Sequence, residues 1–136
     1  MAAPYQLPDL IVPRLSTLAW PVRHVEELAL AEEEAQLAPV VLVIPYGLQI
    51  TDDADQTGVQ ETVLVVAVTR SVNQRSGQDA RQQAGDILAA VAALLTGWQP
   101  STGHTALGIE SPPQPQFVEG TALYPLQFTS IYPLTA

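Results

Sequence analysis

Apolar side chains recur along residues 7–19 (LPDLIVPRLSTLA) at Leu7, Leu10, Ile11, Leu15 and Leu18, close to helical spacing. Pro13 either begins that helix at its first turn or kinks it. Trp20-Pro21 closes the segment, because the residue before a proline is pushed out of the α region. Residues 22–26 read as a short strand, and Glu27 to Gln36 as a turn or two of helix with an exposed Glu32-Glu33-Glu34 corner. After Pro39 comes VVLVIPYGLQI, an apolar run too short and too β-branched for a helix. Pro45 is expected to end that strand or to place it at a sheet edge. Asp52 to Gly58 reads as a polar, acidic loop. Val59 to Arg70 is the strongest strand, apolar on both faces from Val63 to Val68, which predicts a central position or a cover on both sides.

The clearest helix is predicted over residues 76–97. Ser76 and Asp79 have the spacing of a capping box, and Gly97 stands just past the end. Ala80, Ala84, Ile87, Leu88, Val91, Leu94 and Leu95 form one apolar stripe. Thr105 to Ile109 reads as a strand, and a proline-rich turn (Pro112, Pro113, Pro115) precedes two more. These are Gln116–Glu119 and Ala122–Tyr132, joined at Gly120-Thr121, the second alternating in the manner of a half-buried strand. The fold class is therefore α+β, in the order α-β-(α)-β-β-α-β-β-β, as one domain over residues 1–136.

Composition narrows the chemistry. The chain has 136 residues, and 14 acidic side chains against 5 basic ones give a net charge of −9. A chain of this length buries roughly two-thirds of its unfolded surface, enough for a real core. All the bases are arginine (Arg14, Arg23, Arg70, Arg75, Arg81). Without lysine there is no Schiff base and no P-loop lysine. Without cysteine there is no disulfide, thiol nucleophile or cysteine-ligated zinc. The acidic excess argues against a sequence-independent grip on DNA or on an anionic membrane. Met1 to Leu10 lacks the basic and apolar regions of a secretory signal. The longest charge-free run, Ile87 to Ile109, is broken by Gly97, Pro100 and Gly103, too early for a bilayer span. A soluble protein is expected. Charged residues make up only 14%, beside 12 prolines, which points to a chain that shares its surface in an assembly.

Each candidate site meets a simpler reading. Asp53, Asp55, Thr57, Gly58 and Glu61 match positions of a calcium-binding EF-hand loop, yet Leu64 stands where its bidentate glutamate belongs and the flanks read as strands. A solvated turn fits better. Gly103 to Gly108 has the glycine spacing of a phosphate loop but is followed by Ile-Glu rather than Lys-Ser/Thr. There is no nucleophile elbow, and His24 and His104 lie far apart without local acid–base context; His24 beside Glu26 reads as a strand-surface residue. Glu32, Glu33 and Glu34 point in different directions on a helix and read as a solvated face. No catalytic constellation, cofactor site or metal site emerges. Arg70, Arg75 and Arg81 bracket the turn between the best strand and the best helix. They suit bidentate pairing with carboxylates across a subunit interface or, equally, solvation of that turn.

The order of elements carries a resemblance. A proline-introduced strand (Ala38-Pro39-Val40-Val41-Leu42-Val43) follows a short N-terminal helix. A long apolar strand ends in Arg70. A helix then carries Ala80-Arg81 and Ala84-Gly85-Asp86-Ile87-Leu88 and is closed by Leu95-Thr96-Gly97-Trp98-Gln99-Pro100. Phe117-Val118-Glu119-Gly120 precedes a Tyr124…Phe128…Tyr132 strand. Over residues 8 to 133 this resembles the tail terminator (tail completion) proteins of long-tailed bacteriophages, particularly the Mu-like family. The resemblance implies a mixed sheet of about five to six strands, with one long helix (about residues 77–96) and an N-terminal helix packed on it. It also implies a structural, non-enzymatic virion protein without cofactors, assembled in the host cytoplasm and located at the neck end of the tail. Six copies would form a ring on the tail tube, stop tube-protein polymerisation and offer a surface to the head–neck connector. The partners implied are self, tail tube protein and connector, with DNA only passing through the pore and no membrane. On that reading Asp52, Asp53 and Asp55 form a pore-facing acidic loop, since like charge keeps DNA from sticking. Arg70, Arg75 and Arg81 lie at the subunit interface. One of the strands around Val40–Ile44 and Leu123–Tyr132 is expected at a sheet edge engaging a neighbour. The alternatives are another neck or head–tail joining protein, and a cellular small-ligand-binding α+β domain.

Overall fold

A computed structural model describes residues 4–26, 38–53, 56–70, 76–118 and 120–134. Its elements are α1 (Leu7–Leu15), β1 (Val22–His24), β2 (Val40–Asp53), β3 (Gln56–Arg70), α2 (Ser76–Leu95), β4 (Gly108–Glu110), β5 (Gln116–Val118) and β6 (Thr121–Pro133). Six strands make one mixed sheet in the order β1-β2-β3-β6-β4, with β5 also on β6. β1 runs parallel to β2, and every other pair is antiparallel. Among the described residues the fold is α+β, with two helices and a mixed sheet, as the order of elements predicts. The helical segment expected over 27–36, with its glutamate corner, lies outside the described residues.

β3 is the centre of the sheet because it is apolar on both faces. Val63, Val65 and Ala67 meet Leu7, Ile11 and Leu15 of α1 and Ala84, Ile87, Val91 and Leu95 of α2. Leu64, Val66 and Val68 meet Val25, Val40, Leu42, Ile44 and Leu123 on the opposite face. The predicted stripe of α2 is the stripe it buries, with Leu88 and Leu94 at its margin. Gly97 (φ +79°) ends the helix in the left-handed conformation that favours glycine. α1 is shorter than the apolar spacing implies. Pro13 sits inside its last turn, and the hydroxyl and N–H of Ser16 both bond back to the Pro13 carbonyl, at 2.6 and 3.1 Å.

The hairpin corrects one expectation and decides another. Asp52 to Gly58 is not a loop: β2 continues to Asp53 and β3 starts at Gln56, with those two residues paired across the strands. Pairing over the whole length of the hairpin overrides the turn propensity of the Asp/Gly-rich stretch. Of the two outcomes expected at Pro45, the edge position holds, and β2 runs on through it. The Val41 N–H donates to the Pro21 carbonyl and the Val43 carbonyl accepts from the Val25 N–H, both on the β1 side. By alternation, position 45 also faces that side, beyond the reach of β1, so the missing N–H of Pro45 breaks no bond to β3. A bulge between Pro45 and Gly47 follows.

One of the stretches Val40–Ile44 and Leu123–Tyr132 is expected at a sheet edge, and neither lies there. The first stretch lies between β1 and β3, and the second between β3 and the β4/β5 side. Among the described residues, the distal half of β2 has no strand on its outer side.

Candidate functional site

The most connected buried polar group is Glu61. It shares the inward phase of Val59, Val63 and Val65 and is 1% exposed. Its Oε1 accepts the Tyr5 N–H (3.2 Å) and the Tyr132 hydroxyl (2.7 Å), and its Oε2 accepts the Leu7 N–H (3.3 Å). Leu7 opens α1, and Gln6 provides no side-chain cap. A carboxylate from β3 therefore caps the helix, satisfying an orphan donor and complementing the positive end of the dipole. This withdraws Glu61 from the EF-hand alignment. Among the described residues no cluster of three metal-ligating side chains occurs.

Tyr132 links this hub to His104, whose ring meets the phenol ring edge-on with centroids 4.8 Å apart. Burial, reinforced by the Glu61 carboxylate, pushes the Tyr132 phenol far above its usual range. His104 is buried and does have a local partner, contrary to expectation: its Nδ1 lies 2.7 Å from the Ser101 hydroxyl, which also accepts the Gly103 N–H. Its Nε2 is buried without a partner, and burial lowers its pKa. A Ser–His catalytic pair uses Nε2 toward the nucleophile and Nδ1 toward an orienting carboxylate. Here Nδ1 closes a turn and no carboxylate orients the ring, so the arrangement locks the 101–105 loop against β6. A cleft of about 370 Å³ opens beside it, lined by Thr51, Gly58, His104, Thr105, Tyr132 and Pro133 among others. It presents no nucleophile paired with a base.

The remaining candidates sit on the surface. His24 lies 3.7 Å from Asp9 and 3.5 Å from Glu26, the strand-surface setting expected of it. Arg14 donates to the Leu94 carbonyl (3.1 Å) and stands 5.3 Å over the Trp98 ring, tying α1 to the end of α2. Arg70 ends β3 and Arg81 is exposed on α2, whereas Arg75 falls outside the described residues. Asp52 and Asp53 end β2 at the hairpin tip, and Asp55 is likewise outside the described residues. At about 3.3 Å per residue, β3 separates that tip from Arg70 by roughly 45 Å. The acidic tip and the arginine end thus mark opposite ends of the sheet, and they do not meet within one chain.

Sequence reasoning missed two features. One is Glu61, whose signal was its inward phase in an otherwise apolar strand. The other is the set of exposed apolar residues along the sheet edges: Tyr46 and Ile50 on β2, Ile109 on β4 and Phe117 on β5. Their signal was apolar character in edge stretches that carry few protective charges. Among the described residues, no helix is long and apolar enough to cross a membrane.

Comparison with known proteins bears on what such a surface serves. A chain in the virion of a native gene transfer agent (GTA) particle shares this fold, with a TM-score of 0.64 and 17% identity over 93% of this chain and 94% of that one. No curated protein sequence matches. The sequence profile described as phage tail terminator protein matches residues 2–136, essentially the whole chain. On that match, the chain belongs to the phage tail terminator protein family.

Proposed function

We propose that this chain forms a homo-oligomeric ring, a hexamer by family resemblance, at the head-proximal end of the phage tail tube. There it ends polymerisation of the tube protein and presents a surface to the head–neck connector. The observation that carries this reading is the family match over residues 2–136, in a protein of the virion tail. The side chains support it: buried Glu61 caps a helix, His104 and Ser130 hold the 101–105 loop, and among the described residues none is arranged to turn over a substrate. The role is structural rather than enzymatic.

The acidic hairpin tip, Asp52, Asp53 and Asp55, lines the pore in this reading and repels passing DNA, which the ring does not bind specifically. Arg70, Arg75 and Arg81 pair with carboxylates of a neighbouring subunit in this reading. Replacing them with alanine weakens ring assembly, measured by size-exclusion chromatography. The function itself is tested by adding the purified protein to polymerising tail-tube subunits. Elongation stops at capped ends if the protein terminates tubes; unaltered tube growth contradicts it.

A further inference from the structure

Beyond Val43, the outer edge of β2 meets no other strand among the described residues. The stretch from Tyr46 to Thr51 contains no charge and no proline, and Tyr46 and Ile50 are about half exposed (50% and 52%). Natural sheets blunt such edges with lysine, proline or a cover. The opposite side of the sheet shows that protection: Pro125 lies on β6 between the segments paired with β4 and β5, and Pro113 and Gln114 fold beside it. Past Pro45 and the bulge that follows it, the β2 edge as far as Thr51 carries neither a charge nor a cover among the described residues and calls for an occupant.

The register says what fits there. Gly47, Thr62, Thr129 and Gly108 form one row across the sheet. Gln49, Gln60 and Ile131 form another, which Thr105 extends by its bonds to the Ile131 N–H and carbonyl. The β2 edge over Tyr46–Ile50 is thus level with Thr105–Ile109, a stretch in which Leu107 already bonds to Gly97 and Trp98, so that the open part of this side is β4. Because Ile131 faces that outer side, Thr129 and Gln127 do so too by alternation, and their partners Gly108 and Glu110 face inward. The backbone N–H and carbonyl of Ile109 then point away from the sheet, and its side chain is 47% exposed. β4 also runs antiparallel to β2, since three antiparallel pairings separate them.

From this we infer that the occupant is a second copy of this chain. The β2 edge of one copy adds antiparallel to the β4 edge of the next, where the Ile109 backbone points outward, and continues the up–down alternation of the sheet. The two edges are different surfaces, so the contact is head-to-tail and propagates. They are level along the strands, so the contact adds no offset in that direction, which suits a closed ring. Ile50 and Ile109 lie on the helix-bearing face, opposite the buried Val59 and Phe128 respectively, so the joint packs apolar side chains beside the new backbone bonds. This inference rests on the ring reading and names its interface.

The test uses Ile50→Asp for one edge and Ile109→Asp for the other, with circular dichroism melting to verify that both remain folded. Native mass spectrometry of the full chain on its own and at tube ends then reads assembly. Wild-type chain gives rings, and each variant alone loses assembly and stays monomeric. An equimolar mixture of the two gives dimers and nothing larger, because one intact junction remains per pair. Since the chain has no cysteine, a Tyr46→Cys/Ile109→Cys variant adds a second measurement, and bifunctional thiol cross-linking yields a ladder up to the closed ring. Rings from the single Asp variants, or no ladder from wild-type-like rings of the cysteine variant, overturn this interface while leaving the ring standing. Wild-type chain that never assembles overturns both.

Discussion

The Glu61 carboxylate and the Tyr132 hydroxyl meet 2.7 Å apart in the interior, and the same carboxylate holds the backbone of Tyr5 and Leu7 at the start of α1. One side chain on the central strand thus fixes both the N-terminal helix and the last strand. Glu61→Ala strands three donors and is expected to cost about 3 kcal/mol, and Glu61→Gln, which keeps an acceptor, about 1–2 kcal/mol. Tyr132→Phe keeps the ring packing and is expected to cost about 1 kcal/mol. Urea denaturation of the three variants checks the order.

Alkaline pH should expose the same pair. The folded pKa of Tyr132 is raised above its unfolded value of 10.0, so the unfolded chain loses this proton first. Its contribution is fully present below pH 10 and is lost as pH rises toward the higher folded value. Stability should fall above pH 10 in the wild type and less steeply in Tyr132→Phe, measured as melting temperature against pH.

His104 works in the other direction. Its folded pKa is lowered from 6.5, so on acidification the unfolded chain takes up the proton first. Nothing is lost above the unfolded value, and destabilisation accumulates as pH falls from 6.5 to the folded value. The difference in melting temperature between wild type and His104→Gln should therefore change across that window and level off below it. A pH-independent difference would contradict the assignment.

Two glycines, one inside α2 and one just past its end, should respond oppositely. Gly85 lies within α2, and a Cβ there meets nothing within 4 Å, so Gly85→Ala is expected to stabilise by about 0.5–1 kcal/mol. Gly97 has equal space but φ +79°, so Gly97→Ala is expected to cost about 1 kcal/mol of backbone strain. Thermal melting distinguishes the two.

The legible parts of the fold are those where local pattern and tertiary packing agree. The two-faced strand Val63–Val68, the stripe of α2 and the Gly97 stop all stand where periodicity predicts them. Pairing hid the rest. Residues 52–58 carry turn chemistry, but the long ladder against β3 keeps Asp52 and Asp53 in the strand. Pro45 reads as a stop until the open side it faces is known. His104 and Ser101 are neighbours in sequence, yet their burial under Tyr132 arises from residues far along the chain. An assembly surface leaves a still weaker trace, since Tyr46, Ile50 and Ile109 become meaningful only once the sheet order puts them on opposite edges.

Electron microscopy of phage tails assembled without this protein tests its role as terminator most directly. The account predicts overlong tail tubes, or finished tails that fail to join heads, both restored by supplying the wild-type chain. Tails of normal length on intact virions would contradict it.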